Sequence, residues 1–273
     1  MCAGYLVPVT MPLPDHPPRR PLRQLTYLWF AVVVIVYLAI IQLGGLAVEH
    51  ASGLTDIVTT RGVVFTMIIP LGVALAFTFL VVSRLGWWRP VLHDERPVSR
   101  WVWIVPVLML VAIAAGTDYR ALADKDLIFV LTLLVATQFV GWGEETMFRG
   151  IGVTAMREHG LAEGRVALWS SIVFGAVHLT NAIGHGVSAI PQAIAVSLAG
   201  YFFYLMRRVS RGNVLNSVVH GLFDFSILTG TSILVDQSGY VGSVAAILVY
   251  PILAVILIIR RKQIEPAPTP VVS

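Results

Sequence analysis

The sequence predicts an all-α, polytopic membrane helix bundle of about eight transmembrane helices with both termini in the cytoplasm. Three observations carry this. The 273 residues are 57% hydrophobic and only 12% charged, about half the charge of an ordinary soluble domain. Eight apolar stretches, each near the ~20 residues needed to cross a bilayer, divide the chain. With the N-terminus placed inside, every Lys and Arg except Arg61, Arg120 and Lys125 falls on the cytoplasmic side, a strong positive-inside bias.

The expected elements follow in order. Residues 1–24 are rich in proline, lack a cleavable signal core and read as a flexible cytoplasmic tail. The spans are then 25–47, 62–84, 101–117, 127–150 (with room for helix on to about 158), 165–182, 188–206, 213–231 and 240–260. They form one transmembrane domain over 25–262, followed by a disordered tail over 263–273. An even number of spans returns the C-terminus to the starting side. Trp87, Trp88, Trp101 and Trp103 flank span ends and read as an interfacial belt. Gly44–Gly45, and Ser171 with Gly175, are small enough for close helix packing. The net charge of +4 invites a nucleic-acid partner, but the topology accounts for it, so none is expected. Cys2 is the single cysteine, which excludes an internal disulfide and a thiolate metal cluster.

The fourth span breaks the apolar pattern. After IFVLTLLVATQFV come Glu144, Glu145 and Arg149 within two turns. Insertion scales put each such charge at about +2.5 to +3.5 kcal/mol in mid-membrane, so they persist chiefly where paired or functional. On an α-helix Glu145 and Arg149 are about 40° apart, with the acid on the favourable N-terminal side. Glu144 is roughly 140° from the arginine. Glu145 is therefore expected to brace Arg149, and Glu144 to face something else.

Five histidines (His16, His50, His93, His159 and His185) fall in tails or loops. His178 and His220 fall inside spans. Phe174 lies one turn before His178, and Asp224 one turn after His220. Counted from the cytoplasmic ends of their spans, Glu144, His178 and His220 sit at depths of about 21, 20 and 14 Å, close enough to converge. A carboxylate beside an imidazole can deprotonate water, and two histidines with carboxylates also suit a zinc-type ion. Neither H-E-x-x-H nor G-x-S-x-G is present.

These residues resemble the CPBP intramembrane metalloproteases, also called the CAAX protease and bacteriocin-processing or Abi family. E-E-x-x-x-R stands at Glu144–Arg149, F-x-x-x-H at Phe174–His178 and H-x-x-x-[ND] at His220–Asp224, all within about 127–231. The resemblance implies an intramembrane metalloendopeptidase acting on a peptide or membrane-protein substrate. Glu144 and His178 would activate the attacking water. His220 and Asp224 would bind a metal, zinc foremost, or stabilise the oxyanion, with Glu144 and His178 as further ligands. Many CaaX-cleaving members carry asparagine where Asp224 stands, which favours a metal or supporting role there and weakens transfer of the CaaX substrate. Two other classes use the same residues: a non-proteolytic immunity or scaffolding protein of this fold, and an ion-coupled transporter with Glu144 and Asp224 as proton sites. The transporter reading lacks the internal repeat such proteins commonly show.

Overall fold

The computed structural model describes residues 24–55, 57–96, 98–182, 186–231 and 241–265. The expected N-terminal tail up to residue 23, residues 266–273 of the expected C-terminal tail, and His16 and His185 lie outside them. The described chain is all-α. We number its main helices α1 Tyr27–Ser52, α2 Thr60–Leu85, α3 Arg100–Gly116, α4 Leu127–Glu158, α5 Glu163–Val177, α6 Ala189–Val209, α7 Val214–Thr231 and α8 Val241–Ile259.

Local chemistry sets several of these boundaries. Thr26 caps α1 by accepting from the Trp29 amide at 3.3 Å, and Asp126 caps α4 by accepting from the Phe129 amide at 2.9 Å. Gly53 and Gly86 end α1 and α2 at φ of +69° and +71°, where a Cβ would be strained. Pro70 lies inside α2, and the preceding turn Val64–Ile68 loosens into π-helix, relieving the clash a mid-helix proline otherwise causes.

Each expected span coincides with a helix. Four of these helices, α1, α2, α4 and α6, have the length and composition to cross a membrane, and two shorter apolar helices lie at 100–116 and 214–229. The outer surface is apolar, with Ile35, Leu43, Val73, Leu110, Ile128, Ile194 and Ile252 all exposed. The interior is polar in places: Glu145, Arg149, Arg207, Asn216, Ser217 and Ser226 are fully buried. A lipid-facing apolar exterior around buried charge is the arrangement of a helical membrane protein.

Two close approaches position the site. A Cβ on Gly141 of α4 would strike the Ser217 carbonyl and the Gly221 amide of α7, and one on Gly221 would lie 2.8 Å from the Thr137 carbonyl. Glycine at both positions lets α4 and α7 touch backbone to backbone. Likewise Gly175 of α5 meets Ala193 and Ser197 of α6, and Gly200 of α6 meets Ser171.

Several expectations fail in detail. Among the described residues, nothing lies within 4 Å of a Cβ position on Gly44 or Gly45, so they mediate no tight contact there. Trp87 is fully buried; it is a core residue below the Gly86 turn, whereas Trp88, Trp101 and Trp103 are exposed. Arg207 and Arg208, counted from the sequence among loop charges, are buried at the end of α6. Gln263–Glu265, placed by sequence in the tail, dock back onto the bundle: Ile264 is buried, its carbonyl accepts from the Ser99 amide, and Glu265 pairs with Arg208 at 2.6 Å.

Candidate active site

Below the Gly141–Gly221 crossing, α4 changes character. Glu145–Gly152 is π-helical, not the α-helix assumed from sequence, and such widened turns are frequent at functional sites. Glu145 and Arg149 still share a face, and Arg149 Nη1 donates to Glu145 Oε1 at 2.9 Å with both side chains fully buried.

Glu145 has further partners. His220 Nδ1 lies 2.8 Å from the same Oε1, and Asn216 Nδ2 donates to Oε2. A carboxylate can only accept, so Nδ1 carries the proton in this pair and the ring's orientation is fixed. Phe203 stacks on the His220 ring at 4.2 Å and 16°. One buried glutamate thus ties α4 to α7 and aims His220 Nε2 away from itself.

Nε2 points at the two remaining carboxylates. Glu144 Oε2 is 3.8 Å away and Asp224 Oδ2 is 3.6 Å away. Both separations exceed a direct hydrogen bond, so the three groups border one polar space. Exposure separates the acids: the side chains of Glu144 and Asp224 are 16% and 28% accessible, that of Glu145 0%.

His178 follows the last residue of α5, on the 3-10 turn His178–Asn181. Its Nδ1 faces the Phe174 carbonyl at 2.7 Å; a carbonyl only accepts, so Nδ1 is the donor and Nε2 is left as the basic nitrogen. Phe174 joins the two imidazoles. Its ring lies edge-on to His178 at 4.9 Å and to His220 at 6.0 Å, with the Arg149 guanidinium 3.8 Å over its face. Glu144 and Asp224 therefore flank His220 Nε2 across one polar space, and His178 lies on the other side of Phe174 from His220.

The donor types suit a zinc-type ion: an imidazole Nε2 facing two carboxylates, its other nitrogen held by a third. The set is not closed, however. Among the described residues, no group of three or more His, Cys, Asp or Glu side chains is arranged to hold a metal, so neither the four ligands implied by the resemblance nor His220, Glu144 and Asp224 alone surround one point.

Residues 126–226 match the family described as Type II CAAX prenyl endopeptidase Rce1-like. This segment is Rce1-like. No curated protein and no solved structure matches the chain. The Rce1-like segment begins at the cap of α4, ends two residues past Asp224 and holds all three motifs. The match makes this segment similar to the CAAX protease family, and it lies within a helical bundle that carries several membrane-length apolar helices.

Three residues around the site escaped the sequence reading. Asn216 had a signal, since Asn216, His220 and Asp224 recur every four residues along one face of α7. Phe203 and Tyr37 had none. They reach the site from α6 and α1, and Tyr37, outside the Rce1-like segment, is buried where a Cβ on Gly143 would lie 2.9 Å from its hydroxyl.

Proposed function

We propose that the protein is an intramembrane endopeptidase of the cell membrane in which Glu144 is the general base. The observation that carries this reading is the division of the carboxylates. Glu145 is sealed and triply bonded, whereas Glu144 and Asp224 stay partly accessible around His220 Nε2.

Glu144 takes one proton from a water as its oxygen bonds to the scissile carbonyl carbon. The tetrahedral species then collapses, the C–N bond breaks, and the proton held by Glu144 passes to the leaving nitrogen. One water is consumed, and a carboxylate end and an amine end are released. His178, basic at Nε2, helps to orient the water. His220 and Asp224 border the opposite wall of the polar space, where charge develops on the carbonyl oxygen. His220, Glu144 and Asp224 form no three-ligand metal site as they stand, so no step is routed through an ion; one implied by the resemblance would have to draw these side chains together and would supply a more acidic bound water.

Eight membrane spans along the helices α1–α8, with both chain ends on one side, complete the proposal. It is supported by the coincidence of helices with apolar stretches and by the one-sided distribution of basic residues.

The test is cleavage in proteoliposomes of quenched transmembrane peptides, with and without a prenylated CaaX end, read by mass spectrometry. The wild type is expected to cut at least one peptide and Glu144→Gln none. Cutting by Glu144→Gln at the wild-type rate removes Glu144 from the chemistry. No cleavage of any peptide by a folded wild type supports the inert scaffold instead.

A further inference from the structure

A cleft of about 630 Å³ opens between α5, α6 and α8, apart from the site above. Its walls are apolar, with Leu168 and Ile172 from α5, Leu198 and Leu205 from α6, and Ile258 from α8. Its mouth holds Glu163, Glu265, Arg208, Arg261 and Lys262. Both acids are already engaged, Glu163 by Arg96 and Arg157 and Glu265 by Arg208. Arg261 and Lys262 are exposed, so the mouth presents positive charge.

Depth and wall chemistry define the occupant. The deepest lining residues, Ile172 and Ser197, lie nine residues past Glu163 and eleven before Arg208, or about 14–16 Å along the helix axes. One leaflet of a bilayer has about 15 Å of hydrocarbon, half of the core. A peptide in the cleft would need partners for its backbone groups. The lining hydroxyls of Ser171 and Ser197 already donate to the Ala167 and Ala193 carbonyls. An acyl chain needs none.

We propose that this cleft binds one anionic phospholipid of the adjoining leaflet. Its phosphate sits at Arg261 and Lys262, and an acyl chain runs along Leu168, Ile172, Leu198 and Ile258. Basic residues directly beyond a membrane helix attract anionic headgroups, and here an apolar slot of one-leaflet depth lies beneath them. The lipid braces α5, which carries Phe174 and leads directly into His178, against α8.

The experiment is thermal unfolding of the detergent-purified full chain, titrated with phosphatidylglycerol, with phosphatidylcholine, or with glycerol phosphate. Phosphatidylglycerol is expected to raise the Tm by several degrees, and the other two to leave it unchanged. Removing both charges with Arg261→Gln/Lys262→Gln should weaken the apparent phosphatidylglycerol affinity roughly 30-fold, about fivefold per charge. Both side chains are exposed, so that variant folds. Leu168→Trp, also at an exposed position, narrows the slot and should abolish the shift while the charges remain. An equal shift with phosphatidylcholine or glycerol phosphate, or an undiminished response in either variant, overturns the proposal. None of these readouts depends on proteolysis.

Discussion

At the scale of single residues, the two adjacent glutamates differ most in what a substitution removes. Glu144→Gln deletes a partly accessible acid with no direct hydrogen bond to His220, so turnover should vanish with the Tm nearly unchanged. Glu145→Gln strands Arg149 in the interior, at a cost of about 3–5 kcal/mol for a broken buried pair. It also frees His220 Nδ1, so both stability and turnover should fall. Arg149→Gln should destabilise comparably, and Glu145→Gln/Arg149→Gln should cost less than the sum of the two. A double-mutant cycle on unfolding in detergent measures that coupling; strict additivity would contradict the pairing. Asp224→Asn removes charge at constant shape and should slow turnover in a folded protein. An unchanged rate would take Asp224 out of the site. Metal analysis of purified, active protein decides the ion: activity at negligible metal content would leave the carboxylates and imidazoles acting alone.

At the scale of helices, the sequence made pairs within one helix legible and contacts between helices mostly illegible. Glu145–Arg149 and His220–Asp224 are four residues apart and needed only helix geometry. Phe203 on His220 depends on where α6 lies, which no local spacing encodes. The π-helical turn was equally hidden, because no local spacing distinguishes it from an α-turn. Arg207 and Arg208 were misread because the positive-inside pattern accounts for them as well as burial does. Gly141 and Gly221 are ordinary letters in the sequence but fix the spacing of the site. Gly141→Ala would drive a methyl into the α7 backbone, costing about 1–3 kcal/mol of overpacking and parting Glu144 from His220. Gly44→Ala meets nothing and should stay within about 0.5 kcal/mol of wild type. Unfolding and cleavage assays on the two variants test the crossing, and a fully active Gly141→Ala would count against it.

At the scale of the whole molecule, a polar network ties the helix ends on one face together, and its response to acid follows from its charges. Asp94 accepts from Arg157 Nη1 at 2.8 Å and from Arg207 Nε at 3.1 Å, while Arg207 also donates to the Val91 and Pro90 carbonyls at 2.7 and 2.6 Å. Glu163 accepts from Arg157, Arg96 and Tyr204. The segment after α2, the end of α4, the start of α5 and the end of α6 thus share one set of ion pairs. Burial pushes the Asp94 carboxyl up, but the Arg207 and Arg157 charges outweigh it and hold it below its ordinary 3.8. Burial likewise pushes Glu163 up, and bonds from Arg157 and Tyr204 bring it below its ordinary 4.5. A carboxylate depressed in the folded state stabilises fully above its unfolded value and loses that contribution as pH falls through the folded one. Stability from this network should therefore hold from neutral pH down to the ordinary carboxylate values and fall steeply below them. Asp94→Asn removes one titrating group and leaves Arg207 buried without its carboxylate. The variant should start less stable at pH 7, by about 3–5 kcal/mol, and then lose less on acidification than the wild type. Unfolding temperatures of both proteins between pH 7 and pH 3 give the comparison; parallel curves would show that acid acts elsewhere in the molecule.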